Sequence, residues 1–270
     1  MSLHVDRYEH RGTGSGAPLL LIHGWGMHGG MWSGVAEKLA QNFNVYAVDL
    51  PGHGNSRGQK TEGRRHKEHD GVLDEIVDLL SAQFSEPLNV CGWSLGGQVA
   101  LRWALRYPQQ VERLVMVAST PCFAERDDWQ FGMAQNMLQN FAAELEQNHA
   151  ATLRRFLALQ LRGSANEREL LQQLREQLFN RGEPDKAALR GGLEILRDAD
   201  MRESLPQTKQ PTLLIAGERD KLTPPQASQY MAQMMPTARV VEIKGAAHAP
   251  FLSHPDEFVE QISNFLREHR

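Results

Sequence analysis

Ser94 lies at the centre of Gly92-Trp93-Ser94-Leu95-Gly96, a Gly-x-Ser-x-Gly pentapeptide. A serine hydroxyl is a weak nucleophile at neutral pH and becomes an effective one beside a base that takes its proton. Glycines on either side let the backbone turn tightly enough to hold the serine in a strained conformation, with its hydroxyl lifted clear of the chain. The context fits: an apolar run at 88–91 reads as a strand, and 95–107 reads as a helix. A strand-to-helix turn of this kind also sets the hydroxyl at a helix N-terminus, which favours developing negative charge. That context, more than the letters, marks Ser94 as a nucleophile instead of a bystander in a glycine-rich turn.

The base is expected at His248, in Gly245-Ala246-Ala247-His248-Ala249-Pro250. Its small neighbours leave room for an imidazole to reach over the serine. His254 is the nearby rival and reads better as part of the start of the final helix. His23, His28 and His53 precede Ser94 and fall outside the chain order nucleophile, acid, base. His23 is expected to brace its loop. The acid is expected after the strand at 212–216, in Gly217-Glu218-Arg219-Asp220-Lys221, with Asp220 as the carboxylate that fixes the tautomer of His248 and Glu218 as its competitor. Two N–H donors would hold an oxyanion: the amide of Leu95, and that of Trp25 in His23-Gly24-Trp25-Gly26. The Trp25 indole would wall the pocket.

Strand-length apolar runs at 18–22, 45–49, 88–91, 114–118, 212–216 and 239–243 alternate with helical patterns at 31–41, 71–84, 95–107, 225–234 and 255–267. Such alternation predicts an α/β fold with a mostly parallel central sheet and helices on both faces. Residues 121–196 break it, with helical patterns such as 152–161 and 167–179 and no convincing strand. They read as a helical cap inserted into a core formed by 1–120 and 197–270. The loop from Asp49 to Ser56 shows no chemistry and reads as a lock on the sheet edge, and the basic run 64–69 reads as a solvated loop.

With 270 residues, the chain can bury one sizeable core. Its net charge of −4 and pI near 6.3 argue against nucleic acid or a membrane as general partners. Two cysteines, Cys91 and Cys122, make no disulfide framework, and Cys91 reads as a small core residue. The amino terminus shows no signal-peptide pattern, and no apolar run approaches the roughly 20 residues that span a bilayer. A cytoplasmic monomer without metal or organic cofactor is the expectation.

Several segments are similar to known sequences. Leu21-Ile22-His23-Gly24-Trp25-Gly26, Val48-Asp49-Leu50-Pro51-Gly52-His53-Gly54 and Gly92-Trp93-Ser94-Leu95-Gly96-Gly97 resemble the α/β-hydrolase superfamily. Ala118-Ser119-Thr120-Pro121-Cys122-Phe123, Arg155-Phe156-Leu157-Ala158-Leu159-Gln160, Gly191-Gly192-Leu193-Glu194-Ile195-Leu196 and Ala246-Ala247-His248-Ala249-Pro250-Phe251 resemble the pimeloyl-[acyl-carrier protein] methyl ester esterases, carboxylesterases of biotin synthesis. The resemblance implies a triad of Ser94, Asp220 and His248. It also implies substrate contacts at Trp25, Leu95, Phe156, Leu157, Ala158, Leu159 and Gln160, and an acyl-carrier protein as partner. Arg155 and Arg168 match cap arginines that hold the carrier, whereas Ala151 and Gln172 stand where two further such positions fall. The segment 59–70 departs from the family pattern. Two rivals share parts of this reading: an esterase or carbon–carbon hydrolase acting on a small free substrate, and an inactive hydrolase fold used for binding.

Overall fold

The computed structural model describes residues 2–12, 16–59, 71–164 and 166–268. The basic run 64–69 and all but the first residue of the 59–70 segment lie outside these.

Among the described residues, seven strands form one sheet in the order β1-β3-β2-β4-β5-β6-β7: β1 (Val5–Tyr8), β2 (Ala17–Ile22), β3 (Phe43–Val48), β4 (Leu88–Trp93), β5 (Val111–Val117), β6 (Thr212–Gly217) and β7 (Ala238–Ile243). Only β1 is antiparallel, paired with β3 through Val5 opposite Val48. The inner strands β4 and β6 are buried at every residue, as expected of parallel strands covered on both faces. Six strands lie where the apolar runs placed them. Strand β1 was not legible: three of its four residues are half-buried, Arg7 is exposed, and with two charges among them they carry too little hydrophobic pattern for an edge strand.

The helices are α1 (Ser33–Leu39), α2 (Gly71–Gln83), α3 (Leu95–Arg106), α4 (Gln135–Leu161), α5 (Glu167–Leu178), α6 (Lys186–Asp198), α7 (Pro225–Met234), α8 (Pro250–Ser253) and α9 (Pro255–Arg267). Helix α9 starts with proline at its first position, carries Asp256 and Glu257 in its first turn and Arg267 in its last, and buries Phe258, Ile262, Phe265 and Leu266. Proline and the acidic pair suit the N-terminal end of the helix dipole, and arginine the other end. It packs on α1, while α2 packs on α3, and α3 on β4 and β5.

The expected helix at 31–41 is instead a 3-10 turn, Gly29–Trp32, followed by α1. The Gly29 amide donates to Asp49 Oδ1 at 2.6 Å and the Gly30 amide to His28 Nδ1 at 3.1 Å, which pins the chain as a tight turn before the helix begins.

Between β5 and β6 the chain carries α4, α5 and α6, preceded by isolated bridges that pair Ala124 with Met133 and Arg126 with Trp129. Helix α4 breaks at Asn148 (φ −153°, ψ 85°), where the side-chain Oδ1 accepts the Ala151 amide at 3.0 Å, so the segment from 149 onward starts with its own N-terminal cap. Helix α6 runs two residues past 196, so that expected boundary falls inside a helix. Among the described residues no helix is long and apolar enough to cross a membrane.

Candidate active site

Strands β2, β4, β6 and β7 run parallel and deliver their following loops to one edge of the sheet. The elbow after β4 places Ser94 at φ 55°, ψ −117°, a strained conformation for a residue with a side chain. Local crowding imposes it. A Cβ on Gly92 would sit 2.1 Å from the Gly96 carbonyl oxygen, and a Cβ on Gly96 would meet the Ile22 carbonyl oxygen at 2.4 Å. The elbow is fastened by the Ser94 amide donating to Val117 O at 2.9 Å and by Ser119 Oγ donating to Ser94 O at 2.8 Å.

His248, between β7 and α8, brings Nε2 to 3.0 Å from Ser94 Oγ, and its Nδ1 lies 2.8 Å from Asp220 Oδ2. Three groups are thus linked in one line and almost sealed from solvent, at 3 %, 1 % and 3 % exposure for Ser94, His248 and Asp220. Asp220 Oδ1 accepts the amides of Leu222 at 2.8 Å and Thr223 at 3.0 Å, and its Oδ2 accepts the Thr223 hydroxyl at 2.7 Å. Glu218 is exposed and accepts the Gly245 amide at 2.8 Å, away from His248. His254 occupies the N-cap position of α9 without a side-chain capping bond, its Nδ1 instead 2.8 Å from Ser253 Oγ.

Leu95 follows Ser94 directly, and Trp25 follows Gly24, where a Cβ would stand 3.3 Å from Ser94 Cβ. Neither backbone amide has a partner among the described residues, and Leu95 opens α3, where the first N–H groups lack intrahelical acceptors. The Trp25 indole donates to Leu189 O at 2.9 Å and meets the Phe156 ring edge-on at 4.9 Å, so it is clamped by the inserted helices. A Cβ on Gly192 would stand 2.5 Å from Trp25 Cδ1, which explains a glycine at the point where α6 crosses the indole. Leu95 also lines a cavity of 260 Å³ with Leu50, His53, Val72 and Gly191.

The segment from Phe156 to Gln160 lies on the inner side of α4. Phe156, Leu157 and Gln160 are buried, Ala158 and Leu159 half-buried. The Gln160 carbonyl accepts the His248 amide at 3.0 Å, and its side-chain amide is buried without a partner among the described residues. Arg155 and Arg168 face outward. Arg155 pairs with Glu144 and lies over the Phe141 ring, so its charge is already met within the inserted segment.

His23 is fully buried, bonded through Nδ1 to Gly24 O at 2.8 Å and through Nε2 to the Leu50 amide at 3.0 Å, and burial, then the neighbouring His53, hold its pKa well below the usual value. It braces the loop as a neutral ring. The loop from Asp49 proves more than a sheet-edge lock. Asp49 is fully buried, accepts the amides of Gly29 and Asn55, and pairs with Arg181 from the α5–α6 connection at 3.2 Å; Arg181 also reaches Asp6 at 2.6 Å. His28 adds a second tie, Nε2 to Gln177 O at 2.9 Å. Sequence reading missed these ties, and Thr223 as well, because no local pattern announces them. Cys91 is fully buried, and burial pushes its thiol pKa up, away from reactivity. Among the described residues no three His, Cys, Asp or Glu side chains gather as a metal site.

A sequence profile described as the alpha/beta hydrolase fold matches residues 17–255. The pimeloyl-[acyl-carrier protein] methyl ester esterase of Nitrosomonas europaea is 43% identical over 258 residues, covering 96% of this chain and 97% of its own. That of Nitrosospira multiformis is 41% identical, covering 99% of each. Among solved structures, an esterase from Exiguobacterium antarcticum superposes with a TM-score of 0.84 at 20% identity, covering 98% of this chain and 96% of its own. A bromoperoxidase from Bacillus anthracis gives 0.83 at 22%, with the same coverage. At such identities these two likenesses concern the fold alone.

Proposed function

The chain belongs to the α/β-hydrolase family and, within it, to the pimeloyl-[acyl-carrier protein] methyl ester esterases; from this membership we propose that it hydrolyses the methyl ester of a pimeloyl chain carried by an acyl-carrier protein, releasing methanol and the free carboxylate used in biotin synthesis. The observation that carries the reading is the 43% identity over 96% of the chain, a span that includes the inserted segment 121–196, which we regard as a substrate-selecting cap. A likeness limited to the core would support hydrolase chemistry without this substrate.

In the proposed mechanism Ser94 Oγ attacks the ester carbonyl while His248 Nε2, 3.0 Å away, takes the hydroxyl proton. Asp220 holds the Nδ1–H tautomer and stabilises the imidazolium. The amides of Trp25 and Leu95 receive the oxyanion, placed there by the His23-Gly24-Trp25-Gly26 loop and the N-terminus of α3. His248 then protonates the departing methanol and activates water to release the acyl group from Ser94. Phe156, Leu157, Ala158, Leu159 and Gln160 form the cap wall against which the acyl chain lies. The buried, unpartnered amide of Gln160 supports a polar contact to the substrate there.

The test is incubation of the purified protein with pimeloyl-[acyl-carrier protein] methyl ester, with mass spectrometry of the carrier. Loss of one methyl group by the wild type, and none by Ser94→Ala, is expected. Turnover of short free esters with an untouched carrier ester would favour the small-substrate hydrolase, and no turnover of either would favour a binding protein.

A further inference from the structure

The Thr223 hydroxyl touches both Asp220 and His248, and the mechanism above gives it no task. Its Oγ1 lies 2.7 Å from Asp220 Oδ2 and 3.3 Å from His248 Nδ1, while Nδ1 is itself 2.8 Å from that same Oδ2. We infer that Thr223 is a positioning residue that sets how strongly Asp220 holds the protonated His248. The inference rests on reading Ser94, His248 and Asp220 as a triad.

A hydroxyl has one proton and two lone pairs. The shorter contact is to a carboxylate oxygen, which can only accept, so the proton lies on the Asp220 side and a lone pair faces Nδ1. Nδ1 must then carry a hydrogen, because a bare nitrogen would oppose both that lone pair and the carboxylate. The tautomer so favoured leaves Nε2 free to accept from Ser94 Oγ. Thr223 further places a second donor on the oxygen that receives Nδ1–H, and so spreads part of its negative charge. The imidazolium is therefore held less tightly than a bare carboxylate would hold it, and His248 gives its proton more readily to the leaving alcohol.

The position is built to last through turnover. Thr223 is 2 % exposed, its amide is bonded to Asp220 Oδ1 at 3.0 Å, and the following Pro224 confines its backbone to extended conformations. The groups facing His248 are Asp220 and Thr223 from the loop after β6, Ser94 and the Trp93 indole from the elbow, and the Gln160 carbonyl from α4. Asp220 carries the only charge among them.

Thr223→Val keeps the shape and removes the hydroxyl, whereas Thr223→Ser keeps the hydroxyl. On a soluble methyl ester, Val is expected to lower kcat roughly tenfold, as losing a histidine-orienting partner does in metal sites. It is also expected to move the acid limb of the kcat–pH profile upward by about half a unit. Serine is expected to restore both. Thr223→Ala, with the same expected shift, replaces Val if Val does not fold. A profile for Val or Ala that superimposes on wild type, or one for Ser that matches Val, overturns the inference. Ser94→Ala is assayed in parallel. Residual turnover there removes the triad reading and this inference with it; a dead Ser94→Ala beside an unshifted Val profile removes the inference alone.

Discussion

The indole Nε1 of Trp93 donates to the backbone carbonyl of His248 at 2.7 Å, so the residue before Ser94 holds the loop that carries His248. The two are 155 positions apart. Both are buried, and water does not replace the bond. Trp93→Phe is expected to keep the ring packing against Phe251 while leaving that carbonyl unsatisfied, at a cost of about 1–3 kcal/mol in stability. Because the carbonyl belongs to His248, the proposed base, kcat is expected to fall more than KM changes. Steady-state kinetics beside urea unfolding checks this; unchanged kcat would show that α8 alone fixes the loop.

Asp220→Asn preserves the shape of the side chain that meets His248 Nδ1 but favours the wrong tautomer for the proposed mechanism. A loss of roughly 10⁴ in kcat is expected, as in other triads. Glu218→Gln, which alters an exposed side chain bonded to the Gly245 amide, is expected to stay within about twofold of wild type. The reverse ranking in a side-by-side assay would reassign the acid.

Arg181 joins the inserted helices to Asp49 and Asp6 of the core. Arg181→Ala strands the buried Asp49 carboxylate, and a loss of about 3 kcal/mol in unfolding free energy is expected. Arg181→Ala with Asp49→Asn is expected to lose less than the sum of the single changes. Denaturant midpoints across the four proteins give the coupling directly, and strict additivity would deny the tie.

Burial lowers the pKa values of His23, His28 and His53 below that of a free histidine. The unfolded chain therefore binds more protons than the folded one once the pH falls below about 6.5. Stability is expected to be flat from about pH 7.5 to about pH 8, below the range where the buried Cys91 thiol would begin to ionise in the unfolded chain, and to decline as the pH falls through about 6.5 toward the lower folded values. His53→Phe is expected to shallow the decline. Urea midpoints measured across this range decide it, and stability that rises on acidification would contradict the sign.

Arg168 on α5 and Arg155 on α4 are both exposed, and Arg155 is paired with Glu144. As rim charges toward an acidic carrier they would act on association and be screened by salt. Arg168→Glu is expected to lower kcat/KM for the carrier-bound ester several-fold at low salt and to leave a small free ester unchanged, with Arg155→Glu doing less because its charge is already paired. Equal losses on both substrates would make these residues structural supports of the inserted helices.

The elbow was legible in the sequence because its demands are local. Gly92 and Gly96 must lack side chains wherever Ser94 is lifted by a strand-to-helix turn, and the apolar run before it and helical pattern after it reveal that turn. The same holds for the six strands with long apolar runs and for Asp220 and His248, each just past a strand whose end lies at the same sheet edge. Tertiary structure decided the rest. Whether Asp220 or Glu218 meets His248 depends on how the loop after β6 folds back, and two backbone amides and the Thr223 hydroxyl settle it for Asp220. The Trp93 bond to His248 and the Arg181 pairing with Asp49 join residues 155 and 132 positions apart. Such contacts follow from the stacking of β4 beside its neighbours and the seating of the α5–α6 connection on the core. A tryptophan or an arginine reads the same in one dimension whether its polar end meets water or a buried carbonyl; only the packed chain removes the water and leaves one partner in reach.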